Sequence, residues 1–380
     1  MKRNTMFLLW VGAAISVSEI FTGGLLAPLG VVKGSAAILV GHLIGTGLLA
    51  LGAYVAWVRG VNSMENVSFA FGETGGRIVA AINLLQLLGW IVILIVQSGS
   101  AITSVFPGIP FKVVTFTLSL LQIIWAMSFG TPASRINDLA VVLLALLCLL
   151  FFGEAFAGRP AVAPAFPASA MNLVLGIELS IAMPVSWLPL VGDYSSKAED
   201  GATAFIMPFL GYFAGSCFMY FLGFTIALTG GRDIFSFIAA SRFRYVACCV
   251  VLLSTITTNF VALYSAAVSS TRLICLSRFS RNILLVGITT LLLAVLFPVE
   301  RFAAILEHFL VSIDTVFVPI FTLVFLDFFR QKKAPSGKLN VRFVVISLIG
   351  MLGNLFFAKY VPFIPTVSTI IFVALVYLIS

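Results

Sequence analysis

The chain has 380 residues, of which 61% are hydrophobic and only 9% charged, with a formal net charge of +8. A soluble domain carries about 25% charged residues, and no single soluble core of this length hides so much apolar surface. The basic residues sit singly or in small groups between apolar runs, which excludes a groove-reading nucleic-acid module and fits charges that fix membrane topology.

A membrane-crossing helix needs roughly 20 apolar residues to cover about 30 Å of hydrocarbon. Runs of that length recur along the whole chain, and the alternating pattern of a membrane β-barrel is absent. Lipid satisfies no backbone hydrogen bond, so helices are the remaining solution. The runs predict an all-α integral membrane protein of twelve spans, at 8–29, 36–57, 78–104, 113–130, 137–154, 170–192, 202–229, 245–270, 283–299, 302–328, 342–358 and 362–379. Most of the 22 Lys and Arg fall on one side when the N-terminus is placed in the cytoplasm, with the clearest basic cluster in 330–338. The positive-inside rule then puts both termini in the cytoplasm of a multi-pass protein of the plasma (inner) membrane. The five cysteines lie in or beside apolar runs without metal-ligand spacing, and read as small buried residues.

Span one carries Ser16-Val17-Ser18-Glu19-Ile20-Phe21-Thr22-Gly23-Gly24. Gly23-Gly24 gives the helix little backbone restraint. Glu19 falls near mid-depth, where an acid costs at least about 2.5–3.5 kcal/mol on insertion scales and therefore faces a bundle interior. In span two, His42 stands between Gly41 and Gly45 at an expected close helix contact, and reads as a structural histidine. In span three, Trp90 follows Gly89 at mid-membrane, away from the interface belts. With Gln86 and Gln97 near it, Trp90 is placed either to stack on a flat ring or simply to pack.

Span six contains Met183-Pro184-Val185-Ser186-Trp187-Leu188-Pro189, then Gly192-Asp193-Tyr194-Ser195. Each proline removes an amide donor. Backbone freed at mid-depth is tolerated only beside protein or a water-filled cavity. Interrupted spans one and six, five spans apart, point to an inverted-repeat transporter whose broken helices meet around substrate and coupling ion; the bland alternative is that Gly and Pro are common in membrane helices. In span eight, Ser254, Thr257 and Thr258 stand at i, i+3 and i+4, so their hydroxyls share a face and suit a hard cation, unless they bond back to their own helix. Span ten carries Glu307, His308 and Asp314; Glu178 in span six and Glu307 can serve the site or sit toward the outer interface.

Taken in order, these segments resemble the nucleobase:cation symporter family, which includes the cytosine permeases and hydantoin transporters. The match covers nearly the whole chain. It rests on Thr257-Thr258-Asn259 with Ala262-Leu263-Tyr264, on Phe21-Thr22-Gly23-Gly24, on Gly89-Trp90, on Ser186 through Asp193-Tyr194-Ser195, and on Pro319 with Leu326-Asp327-Phe328. Within the family the chain looks most like the hydroxymethylpyrimidine transporters, importers of a thiamine precursor.

The resemblance implies a LeuT-like fold: a first five-helix repeat at 1–159, an inverted second repeat at 160–330, and two additional helices at 331–380. It implies a secondary active transporter, importing a pyrimidine such as hydroxymethylpyrimidine by cation-coupled symport and alternating access, with a cytosine, other nucleobase or hydantoin permease as the alternative. The coupling ion is expected to be Na+ or H+, with no enzyme cofactor, and the working unit to be a monomer in the lipid bilayer. The family's cation lies between span-one carbonyls and span-eight hydroxyls, here the backbone near Ala13 and Ser16 with Ser254, Thr257 and Thr258. Its base rests on the span-three aromatic, here Trp90, with polar contact from Ser186 and with Trp187 nearby; Asn259 and Asp314 complete the expected substrate set. Two departures stand out. Pro184 occupies a position where the family has a substrate aromatic. Glu19 replaces a small polar residue of the cytosine permeases, and a carboxylate there suits the amine edge of an aminopyrimidine. A membrane enzyme would need a catalytic cluster, and neither HExxH nor a Walker A loop is present. A channel would need repeated polar rings along a pore, whereas the polar residues concentrate in a few spans.

Overall fold

The computed structural model describes residues 1–129, 135–157, 171–230, 234–274, 276–330 and 337–380, and every regular element among them is helical. The first span is two helices, α1 (Arg3–Ala14) and α2 (Val17–Leu25). Between them Ile15 (φ −79°, ψ 90°) and Ser16 (φ −143°, ψ 157°) are extended, so the last carbonyls of α1 lose their helical partners. The Ser16 hydroxyl accepts the Glu19 N–H at 3.3 Å and caps α2. The break therefore lies before Glu19 and not at Gly23-Gly24. That glycine pair is helical and lets α2 approach α9 (Gly201–Gly230): a Cβ on Gly23 would run into the Tyr220 backbone.

The second span is α3 (Gly30–Arg59). Residues 58–77, expected to be a loop, mostly belong to α4 (Ser63–Val105), which turns sharply at Gly72 (φ 78°, ψ 172°) and then continues as the third span. Positive φ of this kind is open to glycine at little cost. Next come α5 (Phe111–Phe129) and α6 (Arg135–Phe156). The sixth span begins as α7 (Leu173–Ser186), then dissolves into tight turns after Pro184, with Trp187 N–H on the Pro184 carbonyl at 3.2 Å and Leu188 N–H on Val185 at 3.0 Å. A single turn, α8 (Gly192–Ser195), follows. Beyond α9 lie a short α10 (Ile234–Ala240) in what the sequence leaves as a loop, then α11 (Arg244–Thr271), α12 (Phe279–Val295), α13 (Phe302–Phe329), α14 (Val341–Tyr360) and α15 (Pro365–Ile379).

Seven stretches among the described residues are long and apolar enough to cross a membrane, and the first of these, Val17–Arg59, joins the second half of span one to span two. The shorter apolar helices Val141–Ala155, Leu173–Ser186, Phe279–Val295 and Pro365–Ile379 stand where the sequence places spans five, six, nine and twelve. Much of the basic cluster in 330–338, with Cys275 and the Glu307 side chain, lies outside the described residues. The other cysteines are free thiols.

The helices pack as two groups. In the first, α1, α2, α3, α7 and α9 touch mainly one another; in the second, α4, α5, α11 and α12 do. α13 bridges α4 and α7, and α14 with α15 pack against it at the edge. Small residues permit the tightest contacts. Gly41 and Gly45 of α3 lie on Ser180 and Pro184 of α7 with no room for a Cβ, as the pair flanking His42 predicts. At the ends of α3 and α13, Arg59 and Asp327 form a buried ion pair at 3.0 Å, with side chains 8% and 2% exposed. Arg59 also donates to the Asn66 side chain at 2.7 Å, tying in the start of α4. Large apolar residues on the outer faces, Leu85, Leu352 and Leu375 among them, are exposed, as contact with lipid requires.

Candidate functional site

The break in span one, the broken end of span six and the middle of span eight converge where the two helix groups face each other. A narrow cavity there is bounded by Ala13, Ser16 and Glu19 from span one, and by Met183 and Trp187 from span six. Tyr212 of α9 closes one side; Trp90 and Leu94 of α4, with Thr258 and Ala262 of α11, form the opposite wall. It is closed to the space of a water molecule or two, so a flat ring enters only if the two groups separate.

The span-eight hydroxyls divide. Thr258 lies 3.2 Å from the carbonyl oxygens of both Gly12 and Ile15, bridging α11 to the break. Those two carbonyls are each one residue before the positions expected from the sequence, while Ala13 and Ser16 themselves line the cavity. Ser254 donates to Val251 O at 3.1 Å, and Thr257 to Leu253 O at 3.0 Å and Ser254 O at 3.1 Å, both on their own helix. Of these three hydroxyls, Thr258 is the one that links the groups. Two freed carbonyls and a hydroxyl are the hard oxygen donors that a sodium ion takes, and among the described residues no cluster of three His, Cys, Asp or Glu side chains offers a transition-metal site.

Trp90 presents its ring to the cavity, held edge-on by Phe309 of α13 at 5.3 Å, and its indole N–H has no partner among the described residues. Trp187 sits T-shaped on Trp10 at 6.3 Å, and Trp10 in turn meets Tyr194 and Tyr212. This aromatic cluster props the broken end of span six. Ser186 is close by, yet its hydroxyl donates to Met183 O at 2.6 Å and its carbonyl accepts from Gln86 at 2.8 Å. It therefore fixes the end of α7 against α4. Asn259 points into the second group, donating to Gln122 of α5 at 2.9 Å and to Ile91 O at 3.3 Å.

Asp314 is not brought to this cavity. It lines a wider one between α7, α13 and α14, together with Glu178 and Asn354, and one of its carboxylate oxygens lacks a hydrogen-bond partner among the described residues. Glu178 caps α15, accepting Thr366 N–H at 2.7 Å and the Thr366 hydroxyl at 2.9 Å. Asp193 likewise accepts Ser63 N–H at 3.1 Å and caps α4. These two acids hold helix ends.

Glu19 is buried, with Tyr212 donating to one oxygen at 2.6 Å and Ser216 bonded to the other at 2.7 Å. His42 reaches the same Ser216 at 2.6 Å. Neither α9 residue is evident from sequence motifs, although Tyr212, Ser216 and Tyr220 recur every four residues on one face of an otherwise apolar helix. Ser18, next to Glu19, bonds Gln97 of α4 and joins the two groups from the other side.

No family model and no curated protein matches the sequence. Solved structures do match in shape. Mhp1, a nucleobase-cation-symport-1 family transporter in a closed conformation with bromovinylhydantoin bound, superposes with a TM-score of 0.79 at 15% identity, covering 99% of this chain and 91% of that one. Mhp1 in its inward-facing conformation gives 0.76 at 16% identity, over 99% and 89% of the two chains. A Na+-coupled sialic acid symporter in a substrate-bound outward-open state gives 0.67 at 13% identity, over 98% and 88%. The LeuT-like, all-helical membrane fold is thereby the fold of this chain.

Proposed function

We propose that the protein is a cation-coupled symporter of the nucleobase:cation kind, taking up a small flat heterocycle by alternating access. The observation that carries the reading is Thr258 bridging the Gly12 and Ile15 carbonyls across the two helix groups. A cation held there ties the groups together, and a substrate between Trp90 and Trp187 does the same, so each favours the other's binding. The match to symporters of two substrate classes supports transport in general. The bromovinylhydantoin bound to Mhp1 favours a planar, hydrogen-bonding ring. Glu19 at the cavity wall favours one that sets an exocyclic amine beside a ring nitrogen able to take a proton, because a carboxylate meets that pair with charge-assisted hydrogen bonds, hence an aminopyrimidine such as hydroxymethylpyrimidine ahead of hydantoin. The repeat boundaries at about residues 160 and 331, cytoplasmic termini and a monomeric unit belong to the same proposal.

Purified protein tests it by thermal shift against hydroxymethylpyrimidine, cytosine, uracil, hydantoin and allantoin, each in sodium or potassium. Stabilisation by one base that sodium enhances supports the reading. Stabilisation by hydantoin or allantoin alone would move the substrate class, and no response to any base in either ion would defeat it.

A further inference from the structure

A buried chain of hydrogen bonds connects three spans behind the site. Glu19 of α2, Ser216 of α9 and His42 of α3 are each at most 1% exposed. Ser216 Oγ lies 2.7 Å from Glu19 Oε2 and 2.6 Å from His42 Nε2. His42 Nδ1 lies 2.8 Å from the Ile38 carbonyl, which only accepts. Nδ1 must therefore carry a proton. The ring is further fixed by Tyr220, edge-on at 4.5 Å.

Donor counting then restricts the rest. Ser216 has one hydroxyl proton and two neighbours. If His42 is neutral with its proton on Nδ1, Nε2 is an acceptor and takes the Ser216 proton. Ser216 can then only accept from Glu19, so Glu19 must be protonated at Oε2. If instead Glu19 is a carboxylate and takes the Ser216 proton, Nε2 must carry a proton and donate to Ser216, and His42 is an imidazolium. With Glu19 ionised and His42 neutral, two lone pairs would face each other at one of the two short contacts. The heavy-atom geometry thus holds one proton beyond the ionised-acid, neutral-imidazole pair.

We propose that Glu19, Ser216 and His42 form a one-proton relay that switches Glu19 between acid and carboxylate without changing the protein's net charge. The transfer balances: Glu19 Oε2–H passes its proton to Ser216 Oγ as the Ser216 proton passes to His42 Nε2, and the reverse step restores the start. Tyr212 donates to Glu19 Oε1 in both states. Other titratable groups that feel Glu19 are Tyr212, Cys217 and Tyr220 on α9, with Asp314 of α13 beyond Tyr220. The facing side chains of α4 and α11, Trp90 and Thr258, are neutral, and among the described residues no Lys or Arg lines the cavity. Because Glu19 also lines it, a cation or an amine-bearing ring arriving there favours the carboxylate and moves the proton onto His42. That role in transport rests on the symporter reading; the relay itself does not.

The full chain contains two histidines, and His308 is exposed. A His308→Gln background in lipid nanodiscs, labelled with 15N-histidine, leaves one imidazole to follow by NMR through a pH titration without substrate. The relay predicts Nδ1 protonated throughout and all change confined to Nε2. In Glu19→Gln the introduced amide donates to Ser216, and Nε2 loses its proton signal across the range where the native protein shows it. A neutral His42 with its proton on Nε2, or the same Nε2 response in native and Glu19→Gln proteins, would overturn the relay. The tautomer measurement needs no change in the network, so it decides even where Glu19→Gln does not fold. Neither readout depends on the transported molecule, so loss of the symporter reading would leave the result intact.

Discussion

Thr258 and Trp90 are the residues on which the proposed site depends most directly. Thr258 spans the helix groups, whereas Ser254 spends its hydroxyl on its own backbone. Losing a hydrogen-bonding contact to a charged group costs about 1.5–3 kcal/mol, and 1.4 kcal/mol is tenfold in affinity. Thr258→Ala should therefore raise the sodium concentration for half-maximal stabilisation by roughly tenfold or more, and Ser254→Ala should change it far less. A sodium titration by thermal shift compares the two, and equal effects would remove Thr258 from the cation site. Aromatic stacking on a base contributes about 1–3 kcal/mol. Trp90→Ala should weaken base binding accordingly while Trp90→Phe retains most of it, as calorimetry on the purified protein would measure. At this scale the sequence is only partly legible. Glu19, Trp90 and Thr258 stand out as polar or aromatic residues at mid-membrane. Ser216 and Tyr212 do not, because a lone hydroxyl in a membrane helix normally bonds its own backbone. The roles expected for Ser186 and Asn259 meet a different geometry, since their polar groups are directed into helix packing.

Among the elements, α3 and α7 are joined by glycines, and the ends of α3 and α13 by an ion pair. A leucine at Gly45 would meet Pro184 and the Ile181 backbone, whereas Gly47 on the same helix has open space. Overpacking costs typically about 1–3 kcal/mol and more when backbone must move. Gly45→Leu should lower the melting temperature clearly and Gly47→Leu should leave it nearly unchanged; equal melting temperatures would contradict the α3–α7 contact. Removing one partner of a buried ion pair costs about 3–5 kcal/mol because the other charge is left unpaired. Asp327→Asn should thus destabilise strongly, and replacing both partners, Arg59→Met with Asp327→Leu, should recover much of the loss. Thermal unfolding in detergent reads both outcomes. Span positions are legible from hydropathy because lipid demands long apolar runs. That span one is broken is legible too, but the place of the break is not, because it occurs at Ile15-Ser16, where the residue types fit a helix well enough, and the neighbouring glycines serve packing on α9. The turn at Gly72 is hidden for the opposite reason: its polar neighbours read as a loop, and only the positive φ shows two helices meeting.

For the whole molecule, two packed helix groups enclose a small cavity, and under the proposed function they separate to admit substrate. Hydropathy and the broken spans point to the class, and superposition on Mhp1 and the sialic acid symporter gives the fold at identities too low for sequence matching to register. The proposed function requires that a cation and a flat base bind between these groups together. Uptake of radiolabelled hydroxymethylpyrimidine into proteoliposomes containing only the purified chain tests this most directly. With an inward sodium gradient, accumulation above the equilibrium level is expected, collapsing when potassium replaces sodium and strongly reduced in Thr258→Ala. Equilibration at the same rate and to the same level with and without the gradient would contradict it.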